Sequence, residues 1–150
     1  ELASYPLCVI IKLLGVNYKD INFSTIIDKE TGVDLYTKIN LAYEDSMASA
    51  QIGIGAKREG DLVIAGTKGY IYVPAPWWLT DFFEVRYEDQ TLNKKHFYSY
   101  DGEGLRYEIQ EFISMIVNNR RSCYKLRRSE SIAIAKVLES FRNKENLIIL

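Results

Sequence analysis

Two periods of hydrophobicity divide this chain. Residues 5–15 are apolar nearly all round and predict a buried helix: Pro6 suits a first turn, where its missing N–H is no loss, and Gly15 suits a left-handed cap. The β-branched run Val9, Ile10 and Ile11 also fits a strand, but length and flanking residues favour the helix. From about Asn17 to Tyr100 the period drops to two, as expected of strands with one buried face. Val33, Leu35, Thr37, Ile39, Leu41 and Tyr43 alternate with Asp34, Tyr36, Lys38, Asn40 and Ala42. After a turn at Glu44 and Asp45, a second strand sets Ala48, Ala50, Ile52 and Ile54 against Met47, Ser49, Gln51 and Gly53, which predicts a hairpin.

Turns at residues 29–32, 58–61 and 67–69 bracket further strands at 62–65 and 70–73. Pro74 and Pro76 cannot donate to a central ladder, so residues 74–78 predict an edge or a loop, and residues 82–87 and 96–100 predict one more hairpin. Beyond Gly104 the helical period takes over, with Leu105, Ile109, Phe112, Ile113 and Ile116 as an expected buried stripe. A second helix after a Ser129 cap is expected to bury Ile134, Val137, Leu138 and Phe141. The order of one helix, many strands and two helices predicts an α+β domain: a large, mostly antiparallel open sheet with helices on one face. Its other face, carrying Tyr36, Lys38, Met47, Ser49 and Gln51, is expected to be available for dimerisation.

Charge adds little. Nineteen basic residues against 20 acidic ones give no long-range field to draw in nucleic acid or an anionic membrane. No apolar run reaches the roughly 20 residues that span a bilayer, and two distant cysteines, Cys8 and Cys123, suggest reduced thiols, so a cytoplasmic protein is expected. The 150 residues fit one domain, and a first residue of Glu1 rather than Met suggests a fragment or a processed chain.

The chemistry-bearing residues exclude several classes. There is no G-x-G-x-x-G or Walker pattern, and Gly53 and Gly55 lie in a predicted strand, so the chain is not expected to hold a dinucleotide alone. A single histidine, His96, rules out a multi-histidine metal site, and no nucleophile elbow accompanies it. Arg120, Arg121, Lys125, Arg127 and Arg128 surround Tyr124 in a basic run that reads as a solvated loop between helices. Trp77 and Trp78 are the densest aromatic spot, and aromatic faces stack on the C–H surfaces of sugars.

A resemblance extends this picture. The segment Glu1-Leu-Ala-Ser-Tyr-Pro-Leu7 resembles the D-[LI]-G-x-[YH]-x-[LI] motif that opens the C-terminal domain of the glucose-fructose oxidoreductase and inositol dehydrogenase (Gfo/Idh/MocA) family. Thr31-Gly-Val-Asp34, Ile64-Ala-Gly-Thr-Lys-Gly69 with Tyr70-Ile-Tyr-Val-Pro74, and Gly102-Glu-Gly-Leu-Arg-Tyr-Glu108 follow in that family's order. The resemblance implies that residues 1–150 are a substrate-binding and dimerisation domain, with an N-terminal Rossmann domain that is absent from this chain and holds NAD or NADP. No cofactor is then expected on this chain alone. The implied activity is oxidoreduction of a sugar, polyol or related alcohol by a homo-oligomer. Tyr5 matches the family's general acid or base and Glu1 the acidic position four residues earlier, although aspartate and glycine are usual where Glu1 and Ala3 stand. The family's E-K-P lysine, which would stabilise a phenolate, is not in this chain. Trp77, Trp78, Lys68 and Tyr100 are the candidate sugar contacts. The alternative is a scaffold or ligand-sensing domain that keeps the dimerising sheet without redox chemistry.

Overall fold

A computed structural model describes residues 2–150. The chain divides into two compact units, one formed by residues up to Ala56 together with Met115–Leu150, the other by Lys57–Ser114.

In the first unit, α1 (Ser4–Leu14) leads into β1 (Asp20–Ile27), β2 (Asp34–Ala42) and β3 (Met47–Gly53). Gly15 closes α1 at φ +89°, the left-handed geometry that only glycine adopts without strain, and its N–H bonds the Ile11 carbonyl. The β2–β3 hairpin pairs Ile39 with Ala50, and β1 lies antiparallel to β2 with Phe23 opposite Ile39. A short C-terminal strand, called β8 below, spans Leu147–Ile149 and joins the far side of β1 in parallel. Between them runs the C-terminal helix, called α3, spanning Arg128–Arg142. The sheet order is β3-β2-β1-β8.

One face of this sheet makes the core. Ile21, Phe23, Ile39, Leu41 and Ala50 point to Ala3, Leu7 and Ile11 of the N-terminal segment and to Ala133 and Val137 of α3. Phe23 meets Phe141 edge to face at 5.4 Å. Thr25 and Thr37 are buried in the same layer, and their hydroxyls satisfy each other at 2.8 Å, which removes the cost of burying them unpaired. The opposite face is a hydrogen-bonded polar ladder: Ser49 donates to Asn40, Asn40 to Asn22, and the Tyr36 hydroxyl to Gln51.

The second unit holds β4 (Leu62–Gly66), β5 (Gly69–Val73), β6 (Phe82–Tyr87) and β7 (Lys94–Phe97), an antiparallel meander in sequence order. The proline-rich segment after Val73 lies outside the ladder, as the missing proline donors require. α2 (Gly104–Val117) follows and runs past the boundary between the units.

The architecture is α+β with mostly antiparallel strands, and three details differ from the sequence reading. The hydrogen-bonded strands form two ladders of four, with residues 54–61 outside both. α1 buries one stripe only, Leu7 and Ile11, and leaves Tyr5 and Leu13 exposed. α3 begins one residue before Ser129: its cap is at Arg127, whose N–H is taken by the Glu130 carboxylate at 2.6 Å. On α2 the apolar stripe Leu105, Ile109, Phe112, Ile113 and Ile116 is 50% to 64% exposed rather than buried.

Candidate functional site

Tyr5 stands in the first turn of α1, where the 3.6-residue period turns it away from the side that sends Leu7 and Ile11 into the core. It is 61% exposed, so its phenol is accessible. Glu1 lies outside the described residues. Along α1, the Lys12 ammonium is held by both Glu130 carboxylate oxygens at 3.1 Å and ties α1 to α3. The N–H of Arg127 and then Lys12 hold the Glu130 carboxyl below the usual range. Burial pushes the Cys8 thiol up and disfavours the thiolate, so it is no activated nucleophile. Cys8 and Cys123 are not joined in a disulfide.

The largest recess of the first unit, about 980 Å³, lies at the other end of α1, lined by Leu14, Tyr18, Lys19, Tyr43, Ser129 and Lys136 among others. Nine residues separate Leu14 from Tyr5, roughly 14 Å along a helix. Burial raises the Tyr18 and Tyr43 hydroxyls above their ordinary pKa, so both stay neutral, and Tyr43 donates to the Gly15 carbonyl at 3.0 Å. The sequence offered no motif for this groove, because its lining comes from a helix end, a hairpin turn and the start of α3.

The remaining candidates belong to the second unit and fall into separate clusters. Trp77 and Trp78 meet edge to face at 5.9 Å, the Trp77 N–H bonds the Gly60 carbonyl, and the Trp78 ring lies over Gly60. Lys68, in the β4–β5 turn, lines a shallow recess of about 500 Å³ beside Tyr70 and Arg86. There the Arg86 guanidinium sits 4.5 Å over the Tyr72 ring and forks onto Glu84, which Arg86 and Lys95 hold below the usual carboxylate range. Tyr100 belongs to a third group: its ring meets Tyr98 at 4.9 Å and Tyr107 at 6.2 Å. His96 stacks on Phe83 at 4.9 Å on the edge strand.

Sequence reading picked Tyr100 alone from that group. The signal for the others was present in the spacing of Tyr98, Tyr100, Asp101 and Tyr107, but only the loop's path brings them together.

Dinucleotide binding finds no fit in the chain's own glycines. A Cβ on Gly53 would come within 2.9 Å of Tyr36, and one on Gly55 within 2.8 Å of Leu35, so these glycines permit close strand packing and form no phosphate cradle. Among the described residues no three His, Cys, Asp or Glu side chains cluster as metal ligands, and no helix is long and apolar enough to cross a membrane.

No family model matches the chain, and no curated relative does. Solved structures do. KijD10, a 3-ketoreductase from Actinomadura kijaniata held with NADP and TDP-benzene, is similar with a TM-score of 0.81 at 11% identity in its open conformation, over 100% of this chain and 48% of that one. A proposed NADPH-dependent oxidoreductase from Desulfitobacterium hafniense is similar with a TM-score of 0.67 at 17% identity, over 97% of this chain and 46% of that one. The chain spans about half the length of the structures it matches. By fold it is the counterpart of about half of such an oxidoreductase, the fold that its resemblance to the glucose-fructose oxidoreductase and inositol dehydrogenase family implies.

Proposed function

We propose that this chain is the substrate-side and oligomerisation domain of an NAD(P)-dependent oxidoreductase of that family, acting on a sugar, polyol or related alcohol. The observation that carries the reading is Tyr5: the side chain that the resemblance marks as acid or base is turned out of the core and exposed at the start of a helix whose other face is locked in place. A phenol of ordinary pKa near 10 takes a proton from an alcohol at neutral pH only beside a cation that stabilises the phenolate. Lys12 is committed to Glu130, so that cation comes from outside this chain, in keeping with a lysine on the N-terminal domain.

The dinucleotide is then held by an N-terminal Rossmann domain, and the isolated chain is inactive. Trp77, Trp78, Lys68 and Tyr100 contact substrate, Glu1 supports Tyr5, and the polar ladder of Asn22, Asn40, Ser49, Tyr36 and Gln51 meets a second copy in the cytoplasmic homo-oligomer. Neighbours that hold NADP support this reading, as does their being about twice as long. The test is a screen of the full-length protein with NAD and NADP against sugars, inositols and nucleotide-linked sugars, followed by nicotinamide absorbance. Turnover of at least one alcohol is the expected result; silence with both cofactors overturns the proposal.

A further inference from the structure

The loop between β7 and α2 builds something that packing alone does not require. Tyr98, Tyr100 and Tyr107 form a run of edge-to-face rings, with interplanar angles of 71° and 75°. A small core would cover such rings, yet Tyr98 is 57% and Tyr100 52% exposed. They are also held still. The Tyr107 hydroxyl accepts the Asp101 N–H at 2.7 Å, and Arg106 Nη1 reaches the Asp101 carbonyl at 3.1 Å and its carboxylate at 2.8 Å. Gly102, at φ +77°, lets the chain turn beneath Arg106. Exposed aromatic faces that are already ordered lose little entropy when a ligand stacks on them.

The polar half of the loop sets the ligand's chemistry. Asp101 presents acceptor oxygen and Arg106 presents Nε and Nη2 donors that have no protein acceptor among the described residues. A sugar or polyol hydroxyl is both donor and acceptor, so a vicinal diol gives one proton to the carboxylate and accepts one from the guanidinium. A phosphate or sugar acid has no proton for Asp101. It meets two exposed carboxylates, Asp101 and Glu103, against the one guanidinium of Arg106. Like charges at such range penalise binding.

We infer that Tyr98, Tyr100 and Tyr107, with the Asp101–Arg106 pair, form a subsite for an uncharged, hydroxyl-rich ring and discriminate against its acidic counterpart. This rests on the proposed reading of Tyr100 as a substrate contact and narrows the substrate to neutral sugars or cyclic polyols.

The test is saturation-transfer NMR titration of the chain with methyl glucoside, myo-inositol and methyl glucuronide, with no cofactor or turnover involved. The neutral rings are expected to bind about tenfold more tightly than the glucuronide. Tyr98→Leu, at the end of the ring cluster and so least able to disturb the loop, is expected to weaken neutral binding about tenfold. Glu103→Gln, which leaves the Asp101–Arg106 pair intact, is expected to narrow the neutral-to-acidic ratio. Equal binding of glucoside and glucuronide, unchanged affinity in Tyr98→Leu, an unchanged ratio in Glu103→Gln, or no saturable binding of any ring overturns the subsite. If the subsite holds and the full-length protein oxidises nothing, the redox reading alone falls. If sugar acids turn over as fast as neutral sugars, the subsite alone falls.

Discussion

The two units use the same number of strands and end with very different interiors. In the first, α1 and α3 cover one face of the sheet, and every fully buried residue described in the chain lies there, from Leu7 and Phe23 to Val137. In the second, no described residue between Lys57 and Ser114 is fully buried, although Ile64, Ile71, Phe83 and Val85 alternate as properly as any strand in the first. Alternation builds a ladder, but a core needs a second layer. The first unit is therefore the stable scaffold on which Tyr5 is mounted, and the second carries its aromatic clusters on a more pliable sheet.

That contrast is broken most directly by truncating one phenylalanine in each. Phe23→Ala removes a fully buried ring that packs on Phe141 and is expected to cost about 3–5 kcal/mol in urea unfolding. Phe83→Ala removes a half-buried ring and is expected to cost only about 1 kcal/mol. Equal losses would erase the distinction. Hydrogen exchange sharpens it without mutation: amides of β1 and β2 are expected to exchange at least about tenfold more slowly than those of β4 and β5.

Smaller effects probe how the scaffold is tied. Thr37→Val leaves the Thr25 hydroxyl its bond to the Tyr36 carbonyl, so a loss of about 1 kcal/mol is expected on thermal unfolding. Glu130→Gln tests the tie between α1 and α3. Because the folded protein holds this carboxyl below its usual 4.5, its stabilisation is present above that pH and disappears as pH falls through the lowered value. Wild type is expected to melt higher than Glu130→Gln at neutral pH, and the two curves are expected to converge in acid. A constant gap at all pH values would show that the carboxylate is not the tie.

Local pattern carried the sequence reading far. The β2–β3 hairpin, the Gly15 cap and the buried face of α3 follow from residues close together in the chain, and all three are present. β8 was illegible because its three residues pair with β1, more than a hundred positions away. The stripe on α2 shows a different limit: its period located the helix, but burial depends on what lies opposite, which no window of sequence contains. Ser129 was a plausible cap until the reach of Glu130 back to Arg127 fixed the start. At the site, Tyr5 came from a motif, whereas the union of Tyr98 and Tyr107 with Tyr100 needed the loop's path.

The role of Tyr5 is what the functional reading stands or falls by. Steady-state turnover of the full-length protein should be compared with that of Tyr5→Phe, with cofactor affinity measured alongside. A fall of about 10²-fold or more in kcat with unchanged NAD(P) binding is the predicted result. Near-normal turnover in the phenylalanine variant would contradict it.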